Sequence, residues 1–127
     1  MSKMRILVVD DIFTNRLLLS EILEDIGCEY FLARNGREAV DELAQSHFDL
    51  VLMDIEMPVM NGVEATRYVR DQMPERKRHI PIIALTAHNP SLFFDNFSDA
   101  GFSNLLTKPY SVAKIKQLLE GYRKESA

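Results

Sequence analysis

Short apolar runs alternate with helix-periodic segments along this chain, and that alternation leaves few folds open. The run "RILVV" at 5–9 precedes Leu18, Leu19, Ile22, Leu23 and Ile26, which share one helical face between Asn15 and Ile26. Gly27 stands where a helix C-cap belongs. "CEYFLA" at 28–33 reads as a second strand, and Ala39, Val40, Leu43 and Ala44 mark a second helix starting near Gly36. "LVLM" at 50–53 is apolar throughout, as a strand covered on both faces is. A third helix is expected over 62–72 and a fourth strand in "IPIIALT" at 80–86. A weaker helix follows over 90–100, with Pro90 in its first turn and Gly101 at its end. "NLLT" at 104–107 is the fifth strand; Val112, Ile115, Leu118, Leu119 and Tyr122 form the last amphipathic face. Five strands alternating with five helices predict an open parallel sheet, helices on both faces and right-handed crossovers.

The length of 127 residues fits one domain, without repeat, low-complexity segment or linker. With 46% apolar residues a core forms without disulfides. Cys28 is the only cysteine, so it reads as a buried, reduced thiol. "MSKMRILVVDD" lacks the long apolar region of a signal peptide, and no stretch approaches the roughly 20 residues that span a bilayer. A cytoplasmic protein that works off the membrane is expected. A net charge of −4 argues against nucleic acid as the main partner, because phosphate backbones want a basic surface.

In open parallel sheets, sites form outside the carboxyl ends of the strands. Strand one ends in "LVVDD", with Asp10 beside Asp11; strand three ends in Asp54, strand four in Thr86-Ala87 and strand five in Lys108-Pro109. Alone, the acidic pair fits either a solvated turn or a shared cation. Three carboxylates meeting at one edge raise one another's pKa unless cations compensate, and Lys108 brings one positive charge. Oxygen-only ligands favour Mg2+, with Mn2+ or Ca2+ able to substitute, over zinc. A carboxylate beside Mg2+ and lysine is equipped to attack phosphorus and form an aspartyl phosphate. The Thr86 hydroxyl would donate to a phosphoryl oxygen, and Ala87 is small enough to leave room.

The segments "ILVVDD" (6–11), "DLVLMDIEMPVMNG" (49–62), "IPIIALTA" (80–87) and "LLTKP" (105–109) together resemble a response regulator receiver domain, the phospho-accepting half of two-component signalling. The resemblance implies a flavodoxin-like (βα)5 sheet in order 2-1-3-4-5 and a single domain over 1–127, core about 4–123, without an output domain. It implies Asp54 as phosphoacceptor, with Mg2+ on Asp10, Asp11, Asp54 and the Glu56 backbone carbonyl. Thr86 is similar to the family's switch hydroxyl. Lys108 resembles the lysine that pairs with the acceptor, and Lys108-Pro109 resembles a family cis peptide. The donor would be a histidine kinase or histidine phosphotransfer protein, and the output a downstream protein target, as monomer or phosphorylation-dependent dimer. No external substrate is turned over. Leu105 departs from the family: an aromatic often stands there and couples to the switch hydroxyl, whereas leucine has no ring to swing.

Glu56 and His88, two residues beyond Asp54 and Thr86, resemble tuners of phosphoryl lifetime, against a reading as solvated loop residues. "ERKRH" at 75–79 precedes strand four, so a solvated loop at the edge away from the acids is expected, and His47 is expected to be structural or exposed. Phe93 and Phe97 share a helix face, which leaves Phe94 either buried or an anchor for a partner. Met53, Met57 and Met60 read as packing, and Asn61-Gly62 as turn chemistry. Two other functions compete. A dehalogenase-type phosphohydrolase wants its nucleophile in a D-x-D motif after strand one, where this chain has adjacent aspartates. A degenerate interaction module is disfavoured by the complete Asp/Asp/Asp/Thr/Lys set. Both a stand-alone regulator and a receiver of a hybrid kinase fit the motifs; the start "MSKM" mildly favours the former.

Overall fold

The computed structural model describes residues 3–87 and 97–123. Its strands are β1 (Arg5–Val9), β2 (Glu29–Ala33), β3 (Leu50–Asp54), β4 (Ile82–Thr86) and β5 (Asn104–Thr107). They form one sheet in the order β2-β1-β3-β4-β5, and every neighbouring pair is parallel. The flavodoxin-like order expected from the resemblance is therefore present. The helices are α1 (Phe13–Ile26), α2 (Gly36–Gln45), α3 (Gly62–Gln72), the single turn α4 (Glu75–Arg78) and α5 (Val112–Tyr122).

The pleat of the sheet sorts the core into two layers, because successive strand residues point to opposite faces. Ile6, Val8, Leu50, Leu52, Ile83, Leu85 and Leu106 face one cluster with Leu19 and Leu23 of α1 and Ile115 and Leu119 of α5. Leu7, Val9, Val51, Met53 and Ile82 face the other, with Ala39, Val40 and Leu43 of α2 and Ala65 and Val69 of α3. Double coverage explains the unbroken apolar runs of β1, β3 and β4. No helix among the described residues is long and apolar enough to cross a membrane.

Local chemistry sets the boundaries. Gly27 takes φ 94°, and its N–H and that of Cys28 turn back to the carbonyls of Glu24 and Leu23. This closes α1 with a left-handed residue that suits glycine and delays β2 to Glu29. Cys28 is buried, and burial pushes its thiol pKa up, which keeps it inert. β4 starts at Ile82, later than the apolar run at 80, since Pro81 has no N–H for a ladder. Arg70 ties α3 to the chain before β4 and β5, donating to the carbonyls of Gly101 (2.9 Å), Arg78 (2.6 Å) and Ile80 (2.8 Å).

The basic run 75–79 is not the solvated loop expected. It forms α4, and the Lys77 ammonium donates to the carbonyls of Leu43 (2.5 Å), Ala44 (3.1 Å) and Ser46 (3.4 Å). Those oxygens end α2, where a cation complements the helix dipole. The helix expected over 90–100 lies largely outside the described residues. Its end is described: Gly101 sits at φ 103°, as a terminating glycine should.

Candidate functional site

The pleat also places the site. In β1, Ile6 and Val8 face the α1/α5 layer, and Asp10 is the next residue of that alternation. Leu50 and Leu52 are followed in the same way by Asp54, and Leu106 by Lys108. Thr86 belongs to the opposite alternation, with Ile82 and Ala84. The strand ends are level: Asp54 pairs with Leu85 and Thr86 with Thr107, and the Lys108 N–H donates to the Thr86 carbonyl at 2.8 Å.

Oxygens of Asp10, Asp11 and Asp54 lie within 4.8 Å of one another. Asp10 is fully buried and Asp54 nearly so, while Asp11 is exposed. The Lys108 ammonium stands 3.5 Å from Asp54 Oδ1, and the Glu56 N–H donates to the same oxygen at 3.4 Å. Asp10 is held more firmly. Its Oδ1 accepts from the Ile12 N–H at 2.9 Å, and the Asn15 amide reaches Oδ1 at 3.5 Å and Oδ2 at 3.3 Å. Arg16 donates to the Asp10 backbone carbonyl at 2.8 Å.

Burial, followed by the negative charge of Asp10, pushes the Asp54 pKa up from 3.8 to about 6, against the opposing pull of Lys108. Burial also raises Asp10, against the Ile12 N–H, Lys108 and Asn15. Among the described residues, two buried acids and one exposed one share one paired ammonium, that of Lys108, and are short of positive charge. An all-oxygen donor set of this kind fits a hard divalent cation. The solvated-turn reading of "LVVDD" does not survive the burial of Asp10.

The loop from β3 to α3 builds the floor. The Met60 N–H donates to the Pro58 carbonyl at 2.8 Å, around Val59 at φ 69°. A β-branched residue there is strained. Asn61 then caps α3 in a capping box with Glu64, the two bonds being 2.8 and 2.9 Å. Gly62 and Gly36 let the loop close: a Cβ on Gly62 would lie 2.1 Å from the Asp54 carbonyl oxygen, and one on Gly36 2.6 Å from that of Met60.

The structure thus brings together Asp10, Asp11, Asp54 and Lys108 at the edge where the strand-end argument put them. Thr86 is buried there, Ala87 and Glu56 are exposed, and the Lys108-Pro109 bond is cis. Leu105 is partly buried against Ile55 and Ala84. Met53 is buried, and Met57 and Met60 pack on the second cluster, as expected. His47 is exposed, 3.3 Å from Asp49. His88, Phe93 and Phe94 lie outside the described residues. Sequence reasoning missed Asn15 and Arg16, which hold Asp10. Their signal was position, in the first turn of the helix after the acidic pair.

Residues 6–120 match the family model of the response regulator receiver domain. The chain belongs to that family. Receiver domains are phospho-accepting signalling domains. This receiver domain is 40% identical over 116 residues to the sensor protein GacS of Pseudomonas syringae pv. syringae, covering 91% of the chain. It spans only 13% of that relative's length. It superposes on the receiver domain of the sensor histidine kinase PA1611 from Pseudomonas aeruginosa PAO1 with a TM-score of 0.86 and 33% identity, covering 95% and 98% of the two chains. That structure has a magnesium ion coordinated in its active site cleft. It also resembles the receiver domain of the Saccharomyces cerevisiae response regulator Ssk1, co-crystallised with the histidine phosphotransfer protein Ypd1, at a TM-score of 0.85 and 28% identity. There the match covers 94% of this chain and 88% of the other.

Proposed function

We propose that this receiver domain accepts a phosphoryl group on Asp54 from a phosphohistidine of a histidine kinase or phosphotransfer protein. The observation that carries this reading is the convergence of three carboxylates within 4.8 Å with the Lys108 ammonium 3.5 Å from Asp54. An Asp54 carboxylate oxygen attacks phosphorus, the P–N bond breaks as the P–O bond forms, and the released imidazole takes a proton. Lys108 holds Asp54 in place and then pairs with the phosphoryl oxygens. Thr86 donates its hydroxyl to one of them, and Ala87 leaves them room. Asp10, Asp11, Asp54 and the Glu56 carbonyl would hold Mg2+, which supplies charge neutralisation on the transferred oxygens. The magnesium-bound cleft of the PA1611 receiver supports this assignment. His88 and Glu56 tune the lifetime of the adduct, and Leu105 leaves the readout without an aromatic rotamer. The domain catalyses only its own phosphorylation and dephosphorylation, and works in the cytoplasm by changed contacts with a protein target, as a monomer or a phosphorylation-dependent dimer. It serves as the receiver of a hybrid kinase, a context that the match to part of GacS supports, or as a stand-alone regulator.

Incubation with a small phosphodonor and Mg2+, read by intact mass, tests the reading. A single phosphoryl adduct is expected, and none in Asp54→Asn. An adduct that survives in that variant overturns the assignment. Asp11→Ala is expected to abolish Mg2+ binding in calorimetry with an unchanged circular dichroism spectrum, since Asp11 is exposed and carries no packing.

A further inference from the structure

The basic run at 75–79 is only partly explained by packing. Lys77 commits its ammonium to the carbonyls that end α2. Arg78 donates to the Met73 carbonyl at 3.2 Å and stands 3.7 Å from Glu75. His79 meets the same Glu75 at 3.0 Å. Arg76 is left uncommitted: among the described residues no hydrogen bond or ion pair engages it. It lines an open cleft of about 200 Å3 at the foot of the sheet, formed by residues that precede β3 and β4 and so at the edge away from the acids. Leu43, Phe48, Ile80 and Pro81 give the cleft an apolar wall. Lys77 also lines it and keeps its charge while it donates to carbonyls. Asp49, the acid of the lining among the described residues, is engaged elsewhere. Its Oδ2 accepts from the Arg5 N–H at 2.8 Å, and its Oδ1 faces His47 Nε2 at 3.3 Å. An apolar wall with a few convergent polar groups is the composition of a small-molecule site, and a volume below the roughly 300–1,000 Å3 of larger ligand sites suits a compact molecule.

We propose that this cleft binds a small aromatic carboxylate, with its ring against Leu43, Phe48, Ile80 and Pro81 and its charge paired with Arg76. A flat ring fits a wall that carries an aromatic side chain. A planar guanidinium takes a carboxylate through two parallel hydrogen bonds, and the exposed Arg76 has no other partner to give up. The cleft shares no residue with the phosphoacceptor edge, so the inference stands or falls separately from the phosphoryl reading.

Titration of the isotope-labelled chain with 2-naphthoate, followed by backbone amide chemical shifts, tests it. Saturable shifts are expected at His47, Phe48, Lys77 and Ile80, with a dissociation constant of about 1 mM, which roughly a dozen non-hydrogen atoms at ordinary ligand efficiency give. Arg76→Ala is expected to raise that constant about fivefold, the upper range for an exposed ion pair, with an unchanged circular dichroism spectrum. Arg37→Ala, an exposed arginine of α2 outside the cleft, is expected to match wild type. Acetate, which has the charge without the ring, and 2-naphthamide, which has the ring without the charge, are both expected to bind more weakly than 2-naphthoate. No saturable shift in this patch at about 10 mM 2-naphthoate, tenfold above the expected constant, overturns the inference. Equal binding of 2-naphthamide or acetate overturns the ligand class. Equal affinity of wild type and Arg76→Ala, or equal weakening by Arg37→Ala, overturns the role of Arg76.

Discussion

Asp54→Asn is expected to raise the thermal midpoint of the metal-free protein at pH 7.5 by roughly 6–10 °C, at about 3–4 °C per kcal/mol for a chain of this size. The gain arises where the acid is most costly. Asp54 is 4% exposed, and its pKa rises from 3.8 to about 6 because of burial and the neighbouring charge of Asp10. A carboxyl that binds its proton more tightly when folded stabilises the fold fully below its unfolded pKa. That stabilisation is lost as pH rises through the folded value. Wild type should therefore lose on the order of 2–3 kcal/mol between pH 4 and pH 7, at 1.36 kcal/mol per pKa unit. The asparagine variant should lose less, keeping only the share that the buried Asp10 contributes. Denaturant melts in EDTA at several pH values measure it. A variant as pH-dependent as wild type across that window overturns the assignment of the cost to Asp54. Added Mg2+ is expected to raise the midpoint of wild type more than that of the variant.

Gly62→Ala is the second large effect, and its sign goes against helix propensity. Alanine is the better helix former by about 1 kcal/mol. At Gly62, however, the new Cβ would sit 2.1 Å from the Asp54 carbonyl oxygen and 2.9 Å from the Ile55 Cα. Both obstacles are backbone and belong to the strand end that carries Asp54, so the clash is relieved only by moving that strand end. A loss of about 3 kcal/mol is expected, at the upper end for overpacking, together with slower adduct formation. Gly121 gives the contrast. It lies in α5, and a Cβ added there would meet nothing within 4 Å. Gly121→Ala should therefore stabilise by about 0.5–1 kcal/mol. Urea midpoints of the two variants decide the matter; a Gly62→Ala protein as stable as wild type contradicts the close approach described for the loop.

The sheet was legible because its strands are covered on both faces, so that RILVV, LVLM and IIALT run unbroken through the sequence. The acids were legible because polar residues directly after such runs have only the sheet edge to occupy. Asp54 is the last residue of β3, paired with Leu85, where the strand-end reading put it. Lys77 shows the limit of such reading. Its neighbours suggested a solvated basic loop, yet its ammonium closes the end of α2, 34 residues away in sequence at Leu43. No local pattern encodes a contact of that separation.

The sorting of side chains by the pleat has a consequence for how a modification is felt. Asp10, Asp54 and Lys108 stand on the alternation that feeds the α1/α5 layer, and Thr86 on the one that feeds the α2/α3 side. Through most of the molecule the sheet is a wall between two interiors that do not touch. At the strand ends the wall stops, and a group on Asp54 meets residues from both rooms. The site is a doorway: one added charge there presses on two separately packed layers at once.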